Sequence, residues 1–542
     1  MFKIHLLKQD KIIECAPGAN LYKILSKEGL MDAPCGAGGL CGKCKCKLEG
    51  AKISPYQEYL ASFFAEEEIA AGWRLACLFE VESDIYLELP QQNKLLNIIS
   101  KGYMKDFSND PVFALADKFA ASTETSPSKF YGVAIDVGTT TLVASLINMS
   151  EGKEIESIAC LNGQKAFGQD VMTRINYADS ISRGTEILQK TIVKDLNGLI
   201  GELCKRHKLK PDEINDVSVA ANTTMIHLLA GINPIGLGKW PYIPEFEGAL
   251  SINGQDLGLK VSHDCNVYCL PIVSAFIGGD ITAGVLACDL ENSRESTLFI
   301  DIGTNGEIVL AGEDHFYACS CAAGPALEGM NITCGVRAAQ GAIEDVVIEG
   351  EAVRYATIGG ADPDGICGSG LLAAIAEMLR EGIINKSGRL QTHSSIEMVE
   401  GKKRFVIDKE RNIYLTQHDI RQVQLAKGAI LSGIYILLKV RGIKTNDVHK
   451  VIIAGQFGAH LKAESLIGAG LLPHEWWGII DYAGNTSQSG AQICLLSQAE
   501  RKLIEKLACD IQYIELSQVK DYENLFVNCM QFKAFPWGDE GY

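Results

Sequence analysis

The chain has 542 residues, 47% of them hydrophobic, which is enough for two or more domains with full cores. Its 67 acidic and 50 basic side chains give a net charge of −17, which argues against binding to nucleic acid or to an anionic membrane. The first six residues alternate like a strand and lack the apolar core of a signal peptide. Eighteen cysteines without such a leader predict a reducing, cytoplasmic location and not a disulfide framework.

Residues 1–92 form the first predicted domain and hold six of the cysteines. The domain opens with two strand-like runs, 2–7 and 11–15, and a short helical pattern follows at 21–27. This mixture of short strands and one helix predicts a small α+β domain.

Four cysteines of this domain follow a metal-binding pattern. Cys35, Cys41 and Cys44 have the spacing C-x5-C-x2-C, and Cys77 follows after 32 intervening residues. The pattern resembles that of plant-type ferredoxin domains, C-x4-C-x2-C with a distant fourth cysteine, and it implies a β-grasp fold with one [2Fe–2S] cluster. A zinc site is the alternative, because C-x2-C also suits zinc, and Cys46 is an alternative to Cys44 as a ligand.

Residues 93–129 contain an Asn-Asp-Pro turn signal and a Ser/Thr-rich run, a composition typical of a linker with one helical piece. From residue 130 to residue 542, strands alternate with helices, which predicts a large α/β domain.

The large domain contains an internal repeat. Segments 133–141 and 298–306 each consist of an apolar strand, an Asp-x-Gly-Thr turn and the start of a second strand. In each half a later apolar strand runs into a turn of small residues, at 217–225 and at 451–458. A duplicated fold with two lobes, about 130–296 and 297–542, explains both pairs of segments.

The two turns predict a nucleotide site. An Asp at the end of a buried strand can hold hydrated Mg²⁺, and the adjacent Gly and Thr can donate hydrogen bonds to phosphate oxygens. The segments resemble the phosphate and adenosine motifs of the superfamily of actin, Hsp70 and the acetate and sugar kinases, whose fold is ribonuclease-H-like. The resemblance implies catalytic roles for Asp136 and Asp301. It implies nucleotide contacts for Gly138, Thr139, Thr140, Gly303, Thr304, Asn305, Gly455 and Gly458.

Six further segments have no counterpart in ordinary kinases, and together with the ferredoxin-like domain they resemble the reductive activators of corrinoid proteins. The segments are 166–175, 222–225, 271–280, 319–326, 365–370 and 415–421. The resemblance implies ATP-dependent electron transfer through a [2Fe–2S] cluster that returns Co(II) to Co(I), in support of methyl transfer or O-demethylation in anaerobic metabolism. It implies Mg²⁺ and ATP as cofactors, a corrinoid protein and a low-potential electron donor or reductase as partners, and leaves a homodimer open.

Two residues have competing interpretations. Asp280 is either a general base, as in some sugar kinases, or an ordinary residue at a helix N-terminus. Ser320 either approaches the cobalt of a bound corrinoid or belongs to a tight loop that requires small residues. Two other functions also remain open for the whole chain: a small-molecule kinase regulated by its ferredoxin domain, and an iron–sulfur-sensing ATP switch that binds a partner without reducing it.

Overall fold

The structure is a computed structural model of the whole chain. It describes residues 1–7, 11–28, 30–31, 44–49, 60, 63–64, 66–89, 101–112, 130–313, 315–455, 458 and 461–532.

The N-terminal domain is a mixed five-stranded sheet crossed by one helix, the β-grasp arrangement expected from the sequence. Strands β1 and β2 are antiparallel, whereas β1 and β7 are parallel. The helix α1 begins where Asn20 accepts a hydrogen bond from the Lys23 N–H, and it buries Leu21 and Leu25 in the domain core. The elements are β1 (Phe2–Leu6), β2 (Lys11–Cys15), β3 (Ala19–Asn20), α1 (Leu21–Lys27), β4 (Lys45–Glu49), α2 (Glu66–Ala70), β5 (Trp73–Leu75), β6 (Glu80–Val81) and β7 (Ile85–Glu88).

Part of the predicted linker packs against the large domain. The Tyr103 N–H donates to the Ala483 carbonyl at 2.6 Å, and the Asp110 N–H donates to the Leu496 carbonyl at 2.9 Å. The ammonium of Lys105, only 8% exposed, pairs with Glu291 and with Glu500. Residues 101–112 therefore form part of the surface of the large domain.

The large domain contains two six-stranded sheets, and five strands of each have the same order. The order β10-β9-β8-β11-β13 in the first sheet corresponds to β16-β15-β14-β23-β24 in the second, which confirms the predicted duplication. In the first sheet, β8 pairs antiparallel with β9 and parallel with β11. In the second sheet, β14 likewise pairs antiparallel with β15 and parallel with β23.

The first lobe is built around its sheet and a long amphipathic helix, α4, which buries Leu188, Ile192 and Leu196 on one face. Its elements are β8 (Tyr131–Val137), β9 (Thr141–Asn148), β10 (Lys153–Leu161), α3 (Val171–Ser180), α4 (Gly184–His207), β11 (Ile214–Ala221), α5 (Thr223–Ala230), β12 (Gly248–Asn253), α6 (Gly254–Leu257), β13 (Asn266–Ile272) and α7 (Gly279–Ala287).

The second lobe adds two small sheets and a long core helix to its main sheet. Its elements are β14 (Thr297–Ile302), β15 (Gly306–Gly312), β16 (His315–Cys321), β17 (Ala342–Glu349), β18 (Ala352–Thr357), β19 (Gly365–Ile366), α8 (Gly368–Arg380), β20 (Ile396–Val399), β21 (Lys402–Asp408), β22 (Ile413–Thr416), α9 (Gln417–Arg441), β23 (Lys450–Ala454), α10 (Ala463–Gly468), β24 (Ile480–Gly484), α11 (Thr486–Leu496), α12 (Gln498–Asp510), β25 (Ile511–Tyr513) and α13 (Tyr522–Cys529).

Helix α9 is long and apolar enough to cross a membrane, and it is the one such helix in the described part of the chain. Most of its apolar segment is buried inside the protein, where it packs in the core of the second lobe. Its first turn is held by Thr416 and Asp419, which cap each other's backbone N–H groups.

Two C-terminal helices pack against the first lobe, although they follow the predicted lobe boundary at residue 296. Helices α11 and α12 share a core with α7 and with residues of both main sheets. Helix α11 crosses α7 so closely that a Cβ at Gly490 would lie 2.5 Å from Ala283 Cα. This crossed pair lies between the two sheets and brings the N-termini of both helices towards the Asp-x-Gly-Thr turns.

Candidate functional site

Asp136, at the end of β8, receives hydrogen bonds from the beginning of helix α11. Its two carboxylate oxygens accept from the Asn485 side-chain amide and the Ser487 hydroxyl, both at 2.9 Å. These donors are about 350 residues away along the chain, and the crossed helices bring them to the first lobe. They orient the carboxylate and stabilise its charged form.

Asp301 occupies the equivalent position at the end of β14. Gly455, which follows β23, has a left-handed backbone with φ +89°, and a Cβ there would lie 2.4 Å from Asp301 Oδ1. Only glycine fits both the backbone conformation and this close approach. The structure thus places Gly455, predicted to contact nucleotide, beside the second Asp. Gly458, also predicted, lies against Ile453.

The two predicted phosphate turns connect paired strands. The region between them, where the charge of Asp136 raises the pKa of Asp301, is called the cleft below. In the first, the Gly138 N–H donates to the Thr141 carbonyl at 3.0 Å; in the second, the Gly303 N–H donates to the Asn305 carbonyl at 2.9 Å. The remaining predicted residues, Thr139, Thr140 and Thr304, lie in the same two turns.

The threonines of the two turns are tied to neighbouring elements. The Thr139 hydroxyl accepts from the Asn222 amide at 3.2 Å, and the Thr304 hydroxyl donates to Glu328. Glu328 is only 3% exposed, and its other carboxylate oxygen has no hydrogen-bond partner in the described part of the chain. The second carboxylate oxygen of Glu328 is therefore available as a hydrogen-bond acceptor beside the second turn.

The floor of the cleft concentrates carboxylates. Burial raises the pKa of Asp301 to about 7, with a further contribution from Asp136. Burial, then the charges of Asp301 and Asp136, raises the pKa of Asp280 to about 7. Burial, then the charges of Asp280 and Asp301, raises the pKa of Glu307 well above its usual range. These shifts indicate an excess of negative charge that a cation in the cleft would compensate.

The described side chains do not form a direct metal-ligand cluster: no group of three or more His, Cys, Asp or Glu residues among them is arranged to hold an ion. Separated carboxylates around a cleft are suited to a cation that keeps its water molecules, as Mg²⁺ commonly does. Asp280 lies in the first turn of α7 and also near Asp136 and Asp301. Its position is therefore compatible with both interpretations from the sequence, a helix N-terminal residue and a general base.

Ser320 does not lie in a loop, contrary to the sequence expectation. It is part of strand β16, directly opposite Glu307 of β15. Its hydroxyl donates to Glu307 Oε1 at 3.1 Å. Small residues at 319–323 suggested a turn, but β16 completes the three-stranded antiparallel unit that opens the second lobe. The Ser320 side chain therefore belongs to the carboxylate cluster.

Sequence reasoning missed several residues of this site, namely Asn485, Ser487, Glu307 as a separate carboxylate, and Glu328. Arg174 lies in the predicted segment 166–175 but was given no role, and its side chain donates to the Thr139 carbonyl of the first turn. The run of small polar residues at 484–490 was the available signal for Asn485 and Ser487, but its partner lies in the other lobe. Glu307 directly follows the predicted segment 298–306 and could have been singled out there.

In the N-terminal domain, the structure brings two of the four predicted cluster ligands together. The sulfurs of Cys44 and Cys77 are 3.2 Å apart and both side chains are buried. The Ala76 N–H donates to the Cys44 carbonyl at 2.8 Å, which fixes the two short segments to each other. Cys35 and Cys41 lie outside the described residues.

Cys46, the alternative to Cys44, is fully buried within β4. Burial, together with the neighbouring Cys77, raises the pKa of its thiol to about 12. Cys44 is favoured as the ligand because its sulfur lies 3.2 Å from that of Cys77.

Three family models cover most of the chain. Residues 4–82 match the 2Fe-2S iron-sulfur cluster binding domain, residues 131–293 match the RACo middle region, and residues 295–536 match the C-terminal domain of RACo, the ASKHA domain. The chain therefore contains an iron–sulfur domain followed by an ATP-binding domain of the actin and sugar-kinase type.

Named relatives match along most of the chain. The corrinoid activation enzyme RamQ of Eubacterium limosum is 35% identical over 417 residues, covering 74% of this chain and 70% of that protein. A reductase of the Co(II) methylated amine-specific corrinoid protein from Methanosarcina barkeri is 24% identical over 434 residues, covering 73% and 76%. A solved structure described as a reductive activator for corrinoid,iron-sulfur protein superposes with a TM-score of 0.69 at 31% identity, covering 98% of both chains.

Proposed function

Since the chain belongs to the family of reductive activators of corrinoid proteins, we propose that it uses ATP to return the Co(II) corrinoid of a partner protein to Co(I). The observation that carries this proposal is the full-length structural match, which includes both the iron–sulfur domain and the ATP-binding domain. The two sites lie in separate domains, so that electron supply and nucleotide use are built from different residues.

Cys35, Cys41, Cys44 and Cys77 are the proposed ligands of the [2Fe–2S] cluster. The cluster supplies one electron at a time, as the reduction of Co(II) to Co(I) requires. This reduction is uphill for ordinary cellular donors, and each 59 mV costs about tenfold in the equilibrium of a one-electron step. A low-potential donor or reductase is therefore the proposed source of electrons.

The proposed role of the cleft is to bind Mg-ATP between the two lobes. The turns at Thr139 and Thr304 donate to phosphate oxygens, while Asp136 and Asp301 hold the waters of Mg²⁺. Gly455 lies where its missing side chain leaves room beside Asp301. Binding across the cleft can select one arrangement of the lobes, and only such a state-selective interaction can assist the reduction.

Ser320 is the residue proposed to approach the cobalt in the complex with the corrinoid protein. Its position in β16 beside Glu307 would link such a contact to the carboxylate cluster. We also propose a cytoplasmic location, which the many cysteines of the chain support, since those in the described residues form no disulfide bonds. Light scattering on the purified chain would show whether it forms the homodimer that the resemblance leaves open.

The test is the growth of the Co(I) absorption band in a mixture of this protein, a corrinoid protein from the same organism, reductant and Mg-ATP. Cys41→Ser should retain ATP hydrolysis and lose corrinoid reduction, with the exposed Cys509→Ser as its matched control. Asp301→Asn should keep a reducible cluster and lose corrinoid reduction, with the 88% exposed Asp264→Asn as its control.

Two outcomes would replace the proposal. Transfer of phosphate from ATP to an added metabolite would favour a kinase regulated by its ferredoxin domain. Nucleotide-dependent binding of the corrinoid protein without any Co(I) beyond the ATP-free control would favour an iron–sulfur-sensing switch.

A further inference from the structure

Arg174 of helix α3 lies directly behind the first phosphate turn and has no exposed surface. Its guanidinium donates to the carbonyl oxygens of Thr139 and Gly168 and, at 3.2 Å, to the side-chain oxygen of Gln164. Within the described part of the chain it forms no ion pair, and burial lowers its pKa to about 9, only partly offset by Asp170. It remains a buried cation at neutral pH, with neutral oxygens as acceptors.

The loop 162–170, which precedes α3, is attached to the same turn by a second set of bonds. The Asn162 side-chain amide donates to the Gly138 carbonyl at 2.9 Å, and the Asn162 N–H donates to the Thr140 carbonyl at 3.0 Å. Together with Arg174, these bonds engage the carbonyls of three consecutive turn residues. A displacement of the turn must therefore displace the loop.

The other side of this loop contacts the iron–sulfur domain. The 3₁₀ turn Gly163–Ala166 lies against α1, and the Gln169 side-chain amide donates to the Tyr22 hydroxyl at 3.4 Å. Tyr22 is only 5% exposed. The pKa of Glu28 in the iron–sulfur domain is lowered mainly by its hydrogen bond with Lys11, and the charge of Lys194 on the neighbouring helix α4 adds a small contribution.

We propose that the loop 162–170 is the docking surface of the ATP-binding domain for helix α1 of the iron–sulfur domain, and that Arg174 is a positioning residue that couples this docking to the nucleotide. Phosphate groups bound at Thr139 place negative charge in front of a buried guanidinium that has no carboxylate partner among the described residues. This attraction fixes the turn and, through the shared carbonyls, the loop. The nucleotide-bound form thus holds the iron–sulfur domain more tightly than the free form.

The test is hydrogen–deuterium exchange of the full-length protein with its cluster, with and without a non-hydrolysable Mg-ATP analogue. The inference rests on the proposed nucleotide site, so two peptides are followed: the first turn, 131–148, and helix α1, 21–27. In the parent, the analogue should slow exchange in both peptides. Loss of one hydrogen bond at the contact should reduce protection of α1 about two- to tenfold.

Two variants separate docking from nucleotide binding. Gln169→Ala removes the side-chain contact with Tyr22 and should reduce the response of α1 by this factor of about two to ten while the turn still responds in full. Arg174→Lys keeps the positive charge but lacks the guanidinium that donates to three oxygens at once. It should also weaken the response of α1 while the turn still responds. Gln255→Ala, an exposed glutamine elsewhere on the first lobe, is the matched control and should behave like the parent.

The possible failures are distinguishable. If the analogue protects neither peptide in the parent, the nucleotide site is wrong and the inference is overturned with it. If the turn responds but α1 does not, the nucleotide site stands and the docking inference is overturned. The inference is equally overturned if Gln169→Ala and Arg174→Lys retain the parental response of α1.

Discussion

Replacement of Asp301 by Asn should stabilise the nucleotide-free protein while it abolishes Mg-ATP binding. Burial raises the pKa of Asp301 from 3.8 to about 7, a difference of about 3 units. At about 1.36 kcal/mol per unit, ionisation of this side chain destabilises the folded state by at most about 4 kcal/mol. Asp301 is only partly buried and keeps some accessible surface, which reduces this value, so that about 2 kcal/mol is the expected gain for Asn.

The sign of the effect sets its pH dependence. Below pH 4 the Asp301 carboxyl is protonated in both states, and the mutation should change stability little. Between pH 4 and 7 only the folded state keeps the proton, so the stability of the parent falls as pH rises. Above pH 7 the difference between Asp301→Asn and the parent should be constant and largest.

The assay is thermal unfolding of both proteins between pH 4 and 8 in chelator, with Asp264→Asn as control. For a domain of this size, about 2 kcal/mol corresponds to an increase of roughly 2–4 °C in Tm. Added Mg-ATP analogue should raise the Tm of the parent but not that of Asp301→Asn. A variant that is less stable than the parent at pH 8, or a pH-independent difference, would refute the assignment of Asp301 to a buried, uncompensated carboxylate cluster.

Three further predictions concern the other groups. Cys44→Ala should lose the cluster, whereas Cys46→Ala should retain about two irons per chain by iron and sulfide analysis; equal iron in both would reassign the ligand. Ser487→Ala removes a hydrogen bond that lowers the pKa of Asp136. The acidic limb of the pH profile of ATP hydrolysis should therefore move to higher pH. An unmoved limb would contradict the role of Asp136 in hydrolysis. Ser320→Ala should alter the Co(II) spectrum of the corrinoid in the mixture, and an unchanged spectrum would remove Ser320 from the cobalt.

The local features of this protein were predictable because short stretches of sequence encode them. The helix at Leu21–Lys27 begins after an Asn that caps it, and it lies where the apolar pattern predicts. The two Asp-x-Gly-Thr segments form turns between paired strands because the sequence pattern is the same in both copies. The duplication could therefore be recognised from the amino-acid sequence, and so could the combination of an iron–sulfur domain with an ATP-binding domain.

The sequence could not show which distant segments complete the site. Asn485 and Ser487 reach Asp136 only because helix α11 returns from the second lobe and crosses α7. The strand position of Ser320 was missed for a related reason. A run of small residues is compatible with a turn, but pairing with β15 makes it a strand.

By itself, the sequence determined the domain order, the repeat and the chemistry of the repeated turns and the spaced cysteines, since these depend on neighbouring residues. Only the tertiary structure decided that residues 101–112 lie on the large domain and that Arg174 is buried behind the first turn, with no carboxylate partner in the described ranges. Such features depend on long-range packing. The free energy of a buried charge or a strand pair is set by whatever surrounds it, and those surroundings come from segments far away in the chain.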